Sequence, residues 1–201
     1  MIRVLLAEDQ AMVRGALAAL LGLEKDIEVV AQTARGDEVL PAALLARPDV
    51  ALLDIEMPGG GGLSAAQALH EHLPSCRVVI LTTFGRSGYL RRAMDIGAAG
   101  FLLKDAPATE LAVAIRRIIK GERVVDPDLA LAALAEGNSP LTSREREILI
   151  VALSGASIAG IATQLYLSDG TVRNHLSTAM QKLGARNRME AARLAEKKGW
   201  L

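Results

Sequence analysis

The chain has 201 residues, of which 51% are apolar and 2% aromatic, and its formal net charge is zero. This length suits two small domains, and the low aromatic content excludes base-stacking platforms for single-stranded nucleic acid. Charge is unevenly distributed, since residues 138–201 contain nine Lys and Arg against five Asp and Glu, and this part alone favours a polyanion. Cys76 is the only cysteine, and the sequence shows no signal-peptide pattern and no apolar run of membrane length. We therefore expect a cytoplasmic protein without membrane insertion.

The first 120 residues alternate short apolar runs with segments of helical spacing. Continuous apolarity is typical of strands buried on both faces, and it characterises five runs: Val4–Ala7, Ile27–Ala31, Val50–Leu53, Val78–Leu81 and Gly100–Leu103. Helical spacing occurs between them in Met12–Leu23, Leu63–Leu73, Tyr89–Ile96 and Glu110–Ile119. This alternation predicts an α/β fold, a flavodoxin-like (βα)5 doubly wound parallel sheet with strand order 2-1-3-4-5.

Polar residues that follow these strands would gather at one edge of the sheet. They are Glu8 and Asp9 after the first strand, Asp54 at the end of the third, Thr82 at the end of the fourth and Lys104 after the fifth. In this strand order the carboxylates would repel one another unless a divalent cation neutralised them, and oxygen ligands of this kind suit Mg²⁺. A lysine and a hydroxyl that can pair with a phosphoryl group complete the set. The cluster therefore predicts phosphoryl transfer to Asp54, the lone carboxylate on the central strand.

Residues 1–120 resemble a response-regulator receiver domain. Four segments carry the resemblance, namely Ala7–Asp9, Asp54–Gly59, Leu81–Thr83 and Gly100–Asp105. The resemblance implies that Asp54 is the phosphorylation site. It also implies that Mg²⁺ is bound by Glu8, Asp9, Asp54 and the backbone carbonyl of Glu56.

The same resemblance implies a switch that responds to phosphorylation. Lys104 would bind the phosphoryl group, Thr82 would be the switch hydroxyl, and Phe101 would be the aromatic residue that changes rotamer. Two features depart from many receivers. Asp105 stands where proline often follows the lysine, and the glycine run at 59–62 predicts a mobile loop beside the site.

The pattern of alternating strands and helices ends near residue 120. Residues 121–140 are punctuated by Gly121, Pro127, Gly137 and Pro140, and we interpret them as a linker that carries one helix. Beyond Pro140 the sequence pattern predicts helices only. We therefore expect a receiver domain at 1–120, the linker at 121–140 and a DNA-binding domain at 141–201.

The C-terminal domain reads as a helix-turn-helix. Thr142 and Glu145 form a predicted capping box for its first helix, and Ser157 and Ser168 are predicted caps of the next two. One face of the third helix is apolar and carries Val172, Leu176, Ala179, Met180 and Leu183. The opposite face carries Gly170, Arg173, Asn174, Ser177 and Gln181. Since arginine and carboxamide side chains can bridge bases in a major groove, this face predicts DNA recognition.

Residues 141–196 resemble a LuxR/NarL-type effector domain. The resemblance is carried by Leu141–Glu145, Ala162–Leu165, Gly170–Leu176 and Lys182–Arg188. It implies a set of residues that face DNA, Thr171, Arg173, Asn174 and Ser177, with Lys182 near a phosphate. It also implies that the last helix, opened by Asn187, forms a dimer contact. Shorter stretches resemble the DesR-like subgroup of this family: Leu81–Phe84, Gly88-Tyr89 and Lys198–Trp200.

Together the two halves predict a transcription regulator of a two-component system. A sensor histidine kinase would phosphorylate Asp54 with Mg²⁺ present, and the phosphorylated chain would form a homodimer on double-stranded promoter DNA. The dimer would form through helices one and five or through the face near strand five. RNA polymerase is a further candidate partner.

We expect no enzymatic activity beyond phosphorylation and dephosphorylation of Asp54 itself. A phosphatase of the haloacid dehalogenase type needs an Asp-x-Asp pattern after its first strand, where this chain has Glu8-Asp9-Gln10. The alternative is a phosphorylation-independent regulator, or a protein-interaction module, on the same fold.

Overall fold

The computed structural model describes residues 1–83, 87–104, 108–135 and 139–201. They divide into two compact units, one with residues 1–83 and 90–131 and the other with residues 87–89, 132–135 and 139–201, called here the N-terminal unit and the C-terminal unit. Phe84, Asp105 and Gly137, which the sequence analysis singled out, lie outside the described residues. Within the described ranges no helix has the length and apolar character that a membrane span requires.

The N-terminal unit is a parallel sheet with helices on both faces. Its strands are β1 (Ile2–Ala7), β2 (Ile27–Thr33), β3 (Val50–Asp54), β4 (Arg77–Thr82), β5 (Gly100–Leu103) and β6 (Val124–Val125). Its helices are α1 (Ala11–Gly22), α2 (Gly36–Ala46), α3 (Gly61–His72) and α5 (Ala108–Ile119), with most of α4 (Ser87–Asp95) and the first half of α6 (Pro127–Ala135). The strand order is β2-β1-β3-β4-β5-β6, which confirms the predicted flavodoxin-like fold and the order of its first five strands.

A sixth strand was not predicted. Val124 pairs in parallel with Gly100 and Val125 pairs with Phe101, and the N–H of Val124 donates to the carbonyl of Ala99 at 3.0 Å. These two valines were predicted to lie in the linker, because two residues are too few to display a strand period. The one helix predicted within the linker is α6, which follows directly.

The sheet is apolar on both faces, and this places its polar residues at the strand ends. On one face, side chains of β1, β3 and β4 pack with α5 in a cluster that includes Val4, Leu52, Val79, Ile115 and Ile118. The central strand β3 is buried along its whole length, from Val50 to Asp54. Because all strands are parallel, the residues at their carboxyl ends meet at one edge.

Between residues 139 and 201 the C-terminal unit contains four helices, α7 (Ser143–Leu153), α8 (Ile158–Gln164), α9 (Asp169–Leu183) and α10 (Arg188–Lys197). Their predicted N-caps are confirmed, since Thr142, Ser157, Ser168 and Asn187 each accept a hydrogen bond from the third residue beyond. The capping box of Thr142 and Glu145 is complete. The four helices enclose one apolar core that includes Ile148, Ile161, Val172, Ala191 and Trp200.

The glycine run at 59–62 is used for close packing between the loop after β3 and its surroundings. Gly59, Gly60 and Gly61 all have positive φ angles. A Cβ atom on Gly59 would lie 2.4 Å from Oδ1 of Asp37, and one on Gly62 would lie 2.0 Å from the main-chain oxygen of Asp54. The structure thus gives the run a packing function, and its mobility stays a prediction.

We predict that Gly62→Ala destabilises the N-terminal unit by about 3 kcal/mol, because the added methyl group forces the backbone at Asp54 to move. The matched control is Gly15→Ala in α1, where an added Cβ meets nothing within 4 Å and helix propensity favours alanine by up to about 1 kcal/mol. Hydrogen exchange of β3 amides measures both effects. Equal protection of β3 in the two variants would contradict the prediction.

Candidate functional site

Three carboxylates meet at the carboxyl edge of the sheet. Glu8 and Asp9 follow β1, Asp54 ends β3, and these two strands are hydrogen-bonded neighbours. Each residue offers an oxygen atom that lies within 4.8 Å of those of the other two. Glu8 and Asp54 are buried, whereas Asp9 is exposed. The structure therefore brings together the acidic residues that the sequence analysis grouped.

Lys104 lies between the two buried carboxylates. Its Nζ is 2.6 Å from Oε2 of Glu8 and 3.0 Å from Oδ1 of Asp54. Burial lowers the pKa of Lys104, but its bonds to both carboxylates outweigh burial and raise the pKa above its usual value. Burial also raises the pKa of Glu8, and repulsion from Asp54 adds to this rise, while the bond to Lys104 opposes it. The ammonium group therefore stays charged and is shared by two acids.

This donor set fits a hard divalent cation. One ammonium group cannot neutralise three carboxylates, and the side-chain oxygens are close enough to be shared by one ion. Such an ion takes oxygen ligands and needs one or two protein carboxylates, with solvent or a phosphoryl oxygen at its other positions. The exposure of Asp9 leaves one side of the cluster open to solvent and to such a ligand.

The remaining predicted residues of this site lie near the cluster or next to its strands. Thr82 is the last residue of β4 and is buried, and its carbonyl accepts a hydrogen bond from the N–H of Lys104 at 2.9 Å. Phe101 is fully buried in β5, where it pairs with Ile80 on one side and Val125 on the other. Glu56 is exposed in the loop that follows β3.

Arg14 is a residue near the cluster that the sequence analysis did not single out. It lies in α1, and its Nη1 donates to the main-chain carbonyl of Glu8 at 2.5 Å and reaches that of Asp9 at 3.5 Å. An arginine on an amphipathic helix ordinarily indicates a solvated position, so the sequence offers no signal for such a contact.

In the C-terminal unit, α9 presents the predicted polar face. Val172, Leu176 and Ala179 are buried, whereas Arg173 and Asn174 are exposed. Ser177 is exposed as well, and Thr171 is half-buried near the start of the helix. The hydroxyl of Thr171 lies 2.8 Å from that of Ser168, the N-cap. The helix thus offers an arginine, a carboxamide and hydroxyl groups on one side.

Lys182 is engaged in an ion pair that the sequence analysis did not foresee. Its Nζ donates to Oε1 and Oε2 of Glu145 at 2.9 and 2.7 Å, and Oε2 also accepts the N–H of Thr142 at 2.7 Å. Burial raises the pKa of Glu145, but the bonds from Lys182 and Thr142 outweigh it and hold the pKa below its usual value. This pair joins α7 to the end of α9. A phosphate that contacted Lys182, as predicted, would therefore compete with Glu145 for its ammonium group.

Family models match both units. Residues 4–116 match the response regulator receiver domain, and residues 139–195 match the bacterial regulatory proteins of the luxR family. The chain belongs to the response regulator family. As a response regulator with a luxR-type effector domain, it is a two-component transcription regulator with a DNA-binding unit.

Several full-length proteins are similar to this response regulator. It is 50% identical over 201 residues to an uncharacterized transcriptional regulatory protein, YvfU, of Bacillus subtilis, with complete coverage of both chains. It is 44% identical over 200 residues to the transcriptional regulatory protein DesR of the same organism, covering 100% of this chain and 99% of that one. The latter confirms the predicted likeness to the DesR-like subgroup.

Among solved structures, the response regulator ChrA of a heme-sensing two-component system is 34% identical. The match covers 100% of this chain and 98% of that chain, with a TM-score of 0.58. These matches extend over both units, so the similarity to these three proteins covers the receiver and the luxR-type domain together.

We predict that Glu145→Gln destabilises the C-terminal unit by about 1–3 kcal/mol, since it removes a buried charge-assisted contact. The matched control is Glu147→Gln on the same helix, whose ion pair with Arg144 is half-exposed and stabilises by at most about 0.5 kcal/mol. Fluorescence of Trp200, the only tryptophan and part of this core, follows urea unfolding of the unit.

The pH dependence tests the same contact. Because the pKa of Glu145 is lowered in the folded unit, the contact stabilises the fold above the pKa of unfolded glutamate, roughly 4.3, and its contribution is lost as the pH falls through the folded pKa. The difference in free energy of unfolding between wild type and Glu145→Gln should therefore shrink on acidification. A difference that grows below pH 4 would contradict this assignment.

Proposed function

We propose that Asp54 accepts a phosphoryl group from a sensor histidine kinase or a small acyl phosphate, with Mg²⁺ bound beside it. The side chains of Glu8, Asp9 and Asp54 and the backbone carbonyl of Glu56 would hold the ion. When bound, Mg²⁺ would neutralise charge on the phosphoryl oxygens. One observation carries this proposal: three carboxylates converge within 4.8 Å at the sheet edge, with the Lys104 ammonium group 3.0 Å from Asp54.

The chain's own residues have distinct tasks in this reaction. A carboxylate oxygen of Asp54 attacks phosphorus as the bond from phosphorus to the donor nitrogen or oxygen breaks, and an acyl phosphate forms on Asp54. The ammonium group of Lys104 then pairs with the phosphoryl oxygens. The hydroxyl of Thr82, at the end of the adjacent strand β4, donates a hydrogen bond to the same group.

Asp54 is favoured over Glu8 as the acceptor. Both oxygens of Glu8 are engaged, Oε1 by the N–H of Gln10 at 3.2 Å and Oε2 by Lys104 at 2.6 Å. Asp54 meets Lys104 through Oδ1. Its position at the end of the central strand places it between the loops that carry the other site residues.

We further propose that phosphorylation favours a homodimer formed through α1 and α5. Met12 and Leu20 on α1 are 87% and 42% exposed, and Val113 on α5 is 51% exposed. Arg116 of α5 pairs with Glu24 at 2.6 Å, which ties α5 to the segment after α1. The alternative surface for the dimer is the face near strand five.

The effector half of the proposal concerns promoter DNA. Arg173 and Asn174 would read base edges from the exposed side of α9, while Thr171, Ser177 and Lys182 would contact the DNA nearby. Two copies brought together would occupy half-sites about one helical turn apart. Since promoter DNA of a bacterium lies in its cytoplasm, this proposal places the protein there.

We predict that Asp54→Asn abolishes phosphoryl uptake, because an amide cannot act as the nucleophile. Intact mass with Mg²⁺ and an acyl phosphate donor should show one added phosphoryl group on the wild type and none on the variant. Solution mass should rise towards the dimer for the wild type alone. A phosphorylated Asp54→Asn variant would contradict the assignment, and donor-independent DNA binding by both proteins would favour the phosphorylation-independent alternative.

Arg173→Ala should weaken binding to the preferred operator by ~1–3 kcal/mol. It should have little effect on an operator in which the base pair that Arg173 contacts is already changed. Binding of operator variants, measured at two salt concentrations, separates base reading from charge. The matched control is Arg146→Ala on α7, which removes the same charge from a half-buried arginine bonded to Ser143. Equal losses on every sequence for both variants would show that Arg173 contributes charge alone.

A further inference from the structure

The loop that carries Glu8 and Asp9 is fixed from the side of α1. Nη1 of Arg14 donates to the carbonyl of Glu8 at 2.5 Å and lies 3.5 Å from that of Asp9. In the same turn, the N–H of Arg14 donates to the carbonyl of Gln10 at 2.9 Å. One residue of α1 therefore contacts the main chain of all three residues between β1 and the helix.

We infer that Arg14 is a positioning residue for the cation site, an inference that rests on the proposed function. The carbonyl of Glu8 belongs to the planar peptide that joins Glu8 to Asp9. With β1 held before it and α1 held after it, fixing that plane restricts the directions in which the two flanking side chains leave the backbone. Arg14 thereby constrains the orientation of two of the three carboxylates through the main chain.

A loop of this kind needs an anchor because its carboxylates repel each other. Glu8 and Asp9 hold oxygens within 4.8 Å of an oxygen of Asp54, and Lys104 contacts Glu8 and Asp54. Asp9 is exposed and could turn towards water to relieve the repulsion. A charge-assisted bond from a guanidinium group to the preceding carbonyl opposes that movement.

The charge of Arg14 and its positioning of the loop have opposite effects on the affinity for a divalent cation. Arg14 is a cation, so its electrostatic effect on a nearby divalent cation is repulsive, and its removal would tighten metal binding. If Arg14 orients the carboxylates, its removal weakens metal binding instead. The sign of the change therefore decides between the two.

The experiment uses the full chain and Mn²⁺, an ion with oxygen-ligand preferences like those of Mg²⁺, whose binding is titrated by electron paramagnetic resonance. Arg14→Gln is compared with Arg3→Gln, a matched control at the opposite edge of the sheet. Arg3 also donates a guanidinium hydrogen bond to a carbonyl, that of Ala46 at 2.7 Å. Both variants therefore lose one positive charge and one bond of the same kind.

We expect Arg14→Gln to raise the Mn²⁺ dissociation constant by about tenfold, the effect typical of losing a contact that orients a metal ligand, and Arg3→Gln to leave it unchanged. Unchanged or tighter binding by Arg14→Gln would overturn the inference. If circular dichroism shows that this variant does not fold, Arg14→Lys decides. It keeps the charge but not the planar donor fork, so weaker binding supports the inference and wild-type binding overturns it.

The wild type separates this inference from the proposed function. A wild-type chain that neither binds Mn²⁺ nor gains a phosphoryl group would remove the proposed function itself. If the wild type does both, but Arg14→Gln has the same Mn²⁺ affinity as Arg3→Gln, the proposed function stands. Only the assignment of Arg14 is then removed.

Discussion

Repulsion between carboxylates at one sheet edge is the constraint on which the N-terminal unit depends. Parallel pairing of β1 with β3 forces Glu8 towards Asp54, and two like charges about 4 Å apart cost about 4 kcal/mol at a surface-like dielectric. Lys104 offsets part of this cost by contacting both acids. In the proposed function, the remaining negative charge would give the edge its affinity for a cation. A phosphoryl group on Asp54 would then change the charge on the atoms that Lys104 already contacts.

Helix α1 faces both the proposed cation site and solvent. Arg14 points to the loop of Glu8, while Met12 and Leu20 expose apolar surface. In the proposed function, a change in the loop would reach the proposed dimer face through this one helix. Arg116 binds Glu24 and Asp26 at 2.6 Å, so α5 is held to the chain that follows α1.

The sequence predicted the structure correctly where a local pattern determines it. It gave no prediction where residues distant in the chain meet. Five strands, the helix caps and the acidic cluster follow from apolar runs, capping residues and the topology of parallel sheets. Val124 and Val125 showed no period, so their pairing with β5 could not be read from the sequence. The Glu145–Lys182 pair spans 37 residues, and the contact of Arg14 depends on how α1 leaves its loop. Neither has a signature in the chain.

The same ion pair bears on how the effector unit would find DNA. Non-specific affinity grows with the number of phosphates that free cations neutralise, and residues 138–201 carry only four more basic than acidic residues. Glu145 balances Lys182 at the end of α9, which leaves Arg173 as the cation on its exposed central face. A single unit therefore favours a polyanion by a modest net charge alone. Pairing two units doubles the phosphate and base contacts on one site, so control of dimerisation in the N-terminal unit amounts to control of DNA binding in the proposed function.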